Sequence, residues 1–166
     1  MSESRTKIRK AMADYDAGID LDKEFPYLFL SRGEQYKKQG KTELANADFE
    51  KVLDIETIAE DGSCRHYALH ALGRNQEAIE WMDKIIENAP YYAGNWYDKA
   101  CLLARMGRTD EALEALKIAF EKGFRSFAHL EHDDDMDPLR DTPEYNALIN
   151  EYLEKMIQYE SRVLTP

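Results

Sequence analysis

The chain has 166 residues, of which 43 % are hydrophobic and 33 % charged, and 22 Lys and Arg stand against 33 Asp and Glu for a formal net charge of −11. That length suits one compact domain or about four short helical repeats, with enough apolar side chain for a continuous core. So acidic a surface repels nucleic-acid phosphates and anionic headgroups, so no nucleic acid and no membrane is expected as a partner.

The first helical pattern covers residues 5–20, where Ile8, Ala11, Met12, Tyr15 and Ile19 recur at spacings of three and four. Phe25-Pro26 opens a second helix, with Pro tolerated in the first turn, that passes Phe29, Gly33 and Tyr36 and stops at Gly40. Its partner covers residues 42–55 with Ala45, Phe49 and Val52 inward. A shorter helix follows over 63–72 and ends at Gly73, and the next covers 76–87 and stops before Pro90. The third pair covers 91–106 and 109–122, each ended by a glycine, Gly107 and Gly123. Glycine just past a helix end supplies the left-handed cap, and loops this short force paired helices to run antiparallel.

The alanines Ala11, Ala45, Ala78 and Ala112 lie 34, 33 and 34 residues apart, and Gly40, Gly73 and Gly107 keep step with them. A period near 34 residues is the mark of stacked helical hairpins that bury one another's faces. The final quarter leaves the period. Residues 124–130 read as one or two helical turns and residues 131–138 as a polar loop. Thr142-Pro143-Glu144 is a strong helix start, leading to Tyr145, Leu148, Ile149, Tyr152, Leu153 and Met156 on one side. Such a helix, apolar on one face, caps a solenoid.

Trp96, Ala100, Leu103, Gly107, Ala112, Leu116 and Ala119 match the pattern of the tetratricopeptide repeat, as do Phe29, Gly33, Tyr36, Gly40, Ala45, Phe49 and Val52. The second copy is weaker, with Gly62 and His66 at the aromatic and small positions, and recovers at Gly73, Ala78, Met82, Ile85 and Pro90. The chain thus resembles the tetratricopeptide family over residues 4–124. Its tail, from Arg125 to Tyr145, resembles the segment that closes such groups in many bacterial proteins. The resemblance implies an all-α, right-handed α-α superhelix, a solenoid of about three and a half repeats plus a capping helix. The implied parts are a lone second helix of a partial repeat at 4–22, repeats at 25–57, 59–90 and 92–124, and a C-terminal loop and capping helix at 125–166, all in one domain.

The resemblance also implies a function, the holding of a partner peptide or helix in the concave groove lined by the first helices. Transferred by register, the groove positions are Tyr27, Leu30, Glu34, Lys37 and Lys38, then Tyr67 and His70, then Tyr97, Cys101 and Arg105. The Asn and Lys/Arg clamp that some members use on a terminal carboxylate is absent, since Leu30, Glu34, Cys64, Gly94 and Asp98 occupy its positions. What remains is an aromatic lining with cations at one edge. The alternative is a non-catalytic regulatory or positioning domain of a larger enzyme, such as a protease or kinase, whose catalytic part is elsewhere.

No phosphate loop, nucleophile elbow or zinc-spaced cysteine pair occurs, so no enzyme activity, no cofactor and no metal is expected. His66 and His70 have metal-ligand spacing, but no third ligand is indicated, and they read as ordinary helix-surface histidines. Asp133, Asp134, Asp135 and Asp137 form an acidic run without the central Gly and late Glu of an EF-hand, and read as solvated turn and capping residues. Arg5, Lys7, Arg9 and Lys10 read as a solvated helix face. Cys64 and Cys101 read as reduced, packed side chains. Residues 5–20, lacking a first helix before them, would support weak self-association through Ile8, Met12 and Tyr15. With no apolar signal core at Met1-Ser-Glu-Ser-Arg5 and no membrane-length apolar run, the expected place is the cytoplasm, or the periplasm or cell envelope if the chain is a piece of a longer secreted protein.

Overall fold

The computed structural model describes residues 3–56 and 64–164, and all regular structure among them is helical. The expected helix start at Ser63, and the positions Thr57 and Gly62, lie outside the described residues. The chain divides into two compact units, Met1–Ile85 and Ile86–Pro166.

The first unit holds α1 (Glu3–Leu21), α2 (Pro26–Lys38), α3 (Thr42–Ile55), α4 (Arg65–Ala71) and most of α5 (Asn75–Asn88). Three residues join α2 to α3, so the pair is an antiparallel hairpin. The hairpin closes tightly because Gly33 has no side chain. A Cβ there would lie 2.7 Å from Cε1 of Phe49, a ring that is itself fully buried. Ala45, Val52, Leu53, Phe29 and Leu30 complete this core. α4 is fastened to the end of α3 by polar groups. The Glu56 carboxylate accepts the amides of Cys64 at 2.9 Å and Arg65 at 2.7 Å, satisfying orphan donors of the helix start. Arg65 Nη1 returns to the carbonyls of Leu53 and Glu56, both at 2.6 Å, while its guanidinium lies 4.8 Å from the Trp81 ring on α5.

The second unit holds α6 (Ala93–Arg105), α7 (Thr109–Glu121), α8 (Phe127–His132), a 3-10 turn (Asp134–Met136), α9 (Asp137–Arg140) and α10 (Pro143–Leu164). α6 and α7 form the second tight hairpin, through Ala100, Leu103, Ala112, Leu116 and Ala119, all buried. Thr142 begins α10 as its sequence suggests, its hydroxyl accepting the Tyr145 amide at 3.3 Å.

One turn design recurs four times. Gly40, Gly73, Gly107 and Gly123 have φ of 71°, 78°, 73° and 102°. After each, the next amide returns to a carbonyl five residues earlier: Lys41 to Tyr36, Arg74 to Leu69, Arg108 to Leu103 and Phe124 to Ala119, at 2.8–2.9 Å. This left-handed cap satisfies the last carbonyls of the helix and turns the chain back. The repeat alanines behave alike as well: Ala45, Ala78 and Ala112 are buried and Ala11 is half-buried.

The polar loop expected at 131–138 is only partly a loop. It contains the 3-10 turn and the start of α9, and two of the chain's best-buried apolar side chains, Met136 and Leu139, hang from this stretch. Acidic residues on either side of Met136 mask it in a local pattern, but burial of Met136 and Leu139 is one of the contacts that hold the segment down.

Candidate partner-binding faces

In the first unit the expected groove residues are spread over α2 and α4. Tyr27, Lys37 and Lys38 are exposed, Glu34 is half-buried and Leu30 is buried. Tyr67 and His70 are half-buried, and His70 Nδ1 lies 2.9 Å from Asn75 Oδ1. Lys37 and Lys38 are the last residues of α2, where cations suit the negative end of the helix dipole. His66 is not a surface histidine. It is fully buried, with its ring centroid 4.0 Å from that of Tyr67. Its place one repeat from Gly33 and Ala100, both buried, explains this: the register position faces inward whatever residue fills it.

In the second unit Tyr97, Cys101 and Arg105 stand at successive turns of one face of α6. Tyr97 and Cys101 are buried, and the ring of Tyr97 stacks on Phe124 at 4.3 Å and 7°. Tyr97 Oη donates to Asp133 Oδ2 at 2.6 Å. The same oxygen lies 3.8 Å from Cys101 Sγ and 3.4 Å from His129 Nε2. Arg105 Nη1 donates to Asp135 Oδ1 at 3.2 Å. Asp133 also caps the 3-10 turn, Oδ1 accepting the Asp135 amide at 2.9 Å, and Asp137 pairs with Arg140 at 2.8 Å. Asp133 and Asp135 are thus spent on a cap and on α6, while Asp134 and Asp137 are exposed. No sequence signal announces this, because about thirty residues separate the partners.

Burial and the neighbouring carboxylate of Asp133 hold the Tyr97 hydroxyl in its protonated, donating form. Burial first, and the same acids next, push the Cys101 thiol far up, so it is an inert packed thiol. Asp98 is pushed up to about 6, mainly by burial and then by Asp133 and Asp135, with His129 opposing. A folded-state value above the ordinary 3.8 means that the folded chain binds the extra proton. Its contribution is therefore fully present below pH ~4 and is lost as pH rises through about 6, by an amount on the order of 1–2 kcal/mol after solvent screening. Urea unfolding of the second unit at pH 4.5 and pH 7 should show this loss, and Asp98→Asn should remove that part of the slope. An unchanged slope in the variant would assign it to other carboxylates.

Among the described residues no group of three or more His, Cys, Asp or Glu is placed to hold a metal ion, and no helix is long and apolar enough to cross a membrane. Arg5, Lys7, Arg9 and Lys10 are exposed on α1, as read from sequence. Ile8 on α1 is partly exposed, and Met12 and Tyr15 are half-buried.

A family model of the tetratricopeptide repeat matches residues 67–92 and 93–121. A chloroplastic protein of Arabidopsis thaliana is 23 % identical over 128 residues, 77 % of this chain and 29 % of that protein. An uncharacterized protein of Methanocaldococcus jannaschii, MJ0572, is 37 % identical over 60 residues, 36 % of this chain and 65 % of that protein. The chain therefore spans less than a third of the first relative and just under two thirds of the second. Among solved structures, MamA is 22 % identical with a TM-score of 0.46, covering 97 % of this chain and 98 % of that one. YrrB, described as a TPR protein with an unusual peptide-binding site, is 17 % identical with a TM-score of 0.40, covering 97 % and 86 %. The period of about 34 residues, the left-handed glycine cap repeated at each hairpin and the family match over residues 67–121 agree: the chain carries tetratricopeptide repeats in an all-α helical-repeat fold.

Proposed function

We propose that this chain is a non-catalytic protein-interaction module, and that partner peptides or helices lie against the first helices of its hairpins: in the first unit Tyr27, Leu30, Glu34, Lys37 and Lys38 on α2 and Tyr67 and His70 on α4, and in the second unit Tyr97, Cys101 and Arg105 on α6. Helical repeats use surfaces of this kind for binding. The observation that carries the reading is the α6 face itself. There an aromatic hydroxyl and a guanidinium on one helix face already engage carboxylates of a second segment, the one that holds the 3-10 turn, Tyr97 to Asp133 and Arg105 to Asp135. Tyrosine and arginine are favoured anchors because they combine area with directed hydrogen bonds.

Tyr97 is packed into the second unit, so the test uses the less buried pair, Tyr27→Ala with Tyr67→Ala, checked for unchanged helicity. Quantitative affinity capture from native extract should lose a partner held by the wild type, by a factor of about ten or more in affinity. Equal capture by both chains would sink the reading. It would move the weight to a second one, a positioning domain of a longer protein, which the coverage of only 29 % of a relative favours.

A further inference from the structure

The segment seated on α6 is held at two levels. Underneath, Met136 and Leu139 are fully buried, and Arg140 clasps the backbone, Nη2 donating to the Asp133 carbonyl at 2.6 Å and Nη1 to the Glu131 carbonyl. On top, the carboxylates of Asp133 and Asp135, two residues apart, meet Tyr97 and Arg105, eight residues apart on α6. Water is largely excluded there: the Asp133 and Asp135 side chains are 16 % and 22 % exposed. The charges are not balanced in favour of a permanent seat. Asp98 is close enough for both carboxylates to oppose its ionisation, so three acids face Arg105 and His129, with Arg140 behind. A carboxylate lodged beside another is held less firmly than one that meets cations alone.

We propose that residues 131–140 are an internal occupant of the partner-binding face of α6, and that the ligand this face accepts is an acidic segment with carboxylates two residues apart. The inference rests on the function proposed above and names the ligand chemistry of that face. An external acidic segment competes with the internal one, so the chain alone binds it weakly in proportion to the small fraction of time the face is open.

The probe is a labelled synthetic peptide of residues 131–140, titrated into the full chain. Three chains are compared: wild type, Asp133→Asn/Asp135→Asn, which disarms the occupant, and Tyr97→Phe/Arg105→Gln, which disarms the face. Amide exchange at Asp135 and Met136, whose N–H groups bond to Asp133, reports release of the segment. Both variants should release it, with exchange faster on the order of tenfold or more. The first should bind the peptide on the order of tenfold or more tighter than wild type, and the second should show no gain. Should the double Asn variant lose helicity, Asp135→Asn alone, which keeps the bond between Tyr97 and Asp133, carries the same expectation with a smaller gain. Release without peptide binding would overturn the proposal and leave the segment as a structural seat. Unchanged exchange in the first variant would overturn it too, because the carboxylates would then not hold the segment. Neither failure touches the test with Tyr27 and Tyr67, which lie in the other unit.

Discussion

Arg32→Met should destabilise the first unit by about 3–5 kcal/mol, as for removal of one partner from a buried ion pair. The Arg32 guanidinium forms a fork on Asp48, Nε to Oδ2 at 2.8 Å and Nη2 to Oδ1 at 2.7 Å. A third bond runs from Nη1 to Asp16 Oδ1 at 2.7 Å, so one side chain on α2 ties α1 to α3. The Asp48 side chain is only 7 % exposed, and without the fork its charge is stranded. Asp16 is 57 % exposed, so Asp16→Asn should cost less than about 1 kcal/mol. Arg32→Lys should recover only part of the loss, since an ammonium cannot make the planar fork. The decisive comparison is Arg32→Met/Asp48→Leu, which removes both charges and should be more stable than Arg32→Met alone. Urea unfolding followed by amide exchange on α2 and α3 measures all four. A double variant no better than the single would show that the stranded carboxylate is not the cause.

Phe120→Ala should cost the second unit about 3–5 kcal/mol. Its ring is fully buried where three elements converge, with centroids 5.3 Å from Phe127 at the start of α8, 4.8 Å from Tyr152 on α10 and 6.2 Å from Phe124. The resulting cavity also loosens Phe124, the ring on which Tyr97 stacks. The Tyr97–Asp133 bond should therefore weaken together with global stability. Phe120→Leu should cost less, and Ile157→Ala or Tyr159→Ala, on the exposed end of α10, should lie within about 0.5 kcal/mol of wild type. Thermal unfolding of the four chains gives the ranking. A loss as large at Ile157 as at Phe120 would mean that α10 is held by contacts other than this cluster.

Much of the fold was legible because it is local and repeated. A glycine at a left-handed cap and an alanine at a close crossing are demanded afresh every 33 or 34 residues, so the period survives where single residues drift. Thr142 was legible for the same local reason, a hydroxyl aimed at the third amide of its own helix. His66 was legible in principle, from its register with Gly33 and Ala100, and was misread because its polarity outweighed its position. The α6 site was legible only as three side chains on a helix face. Its occupant was not, because the contacts from Asp133 and Asp135 join segments that share no period, and the buried Met136 and Leu139 sit in a stretch that reads as solvent-exposed acid.

Where a partner touches this protein is best measured by photo-cross-linking from single positions of the full chain in native extract. A photoreactive side chain at Tyr27 or Tyr67 should capture one common protein. The same group at Ala47 on α3 or Ala147 on α10, both exposed, should capture none of it. Capture from Ala47 or Ala147 with none from Tyr27 and Tyr67 would contradict binding along the first helices and place the interaction on another surface.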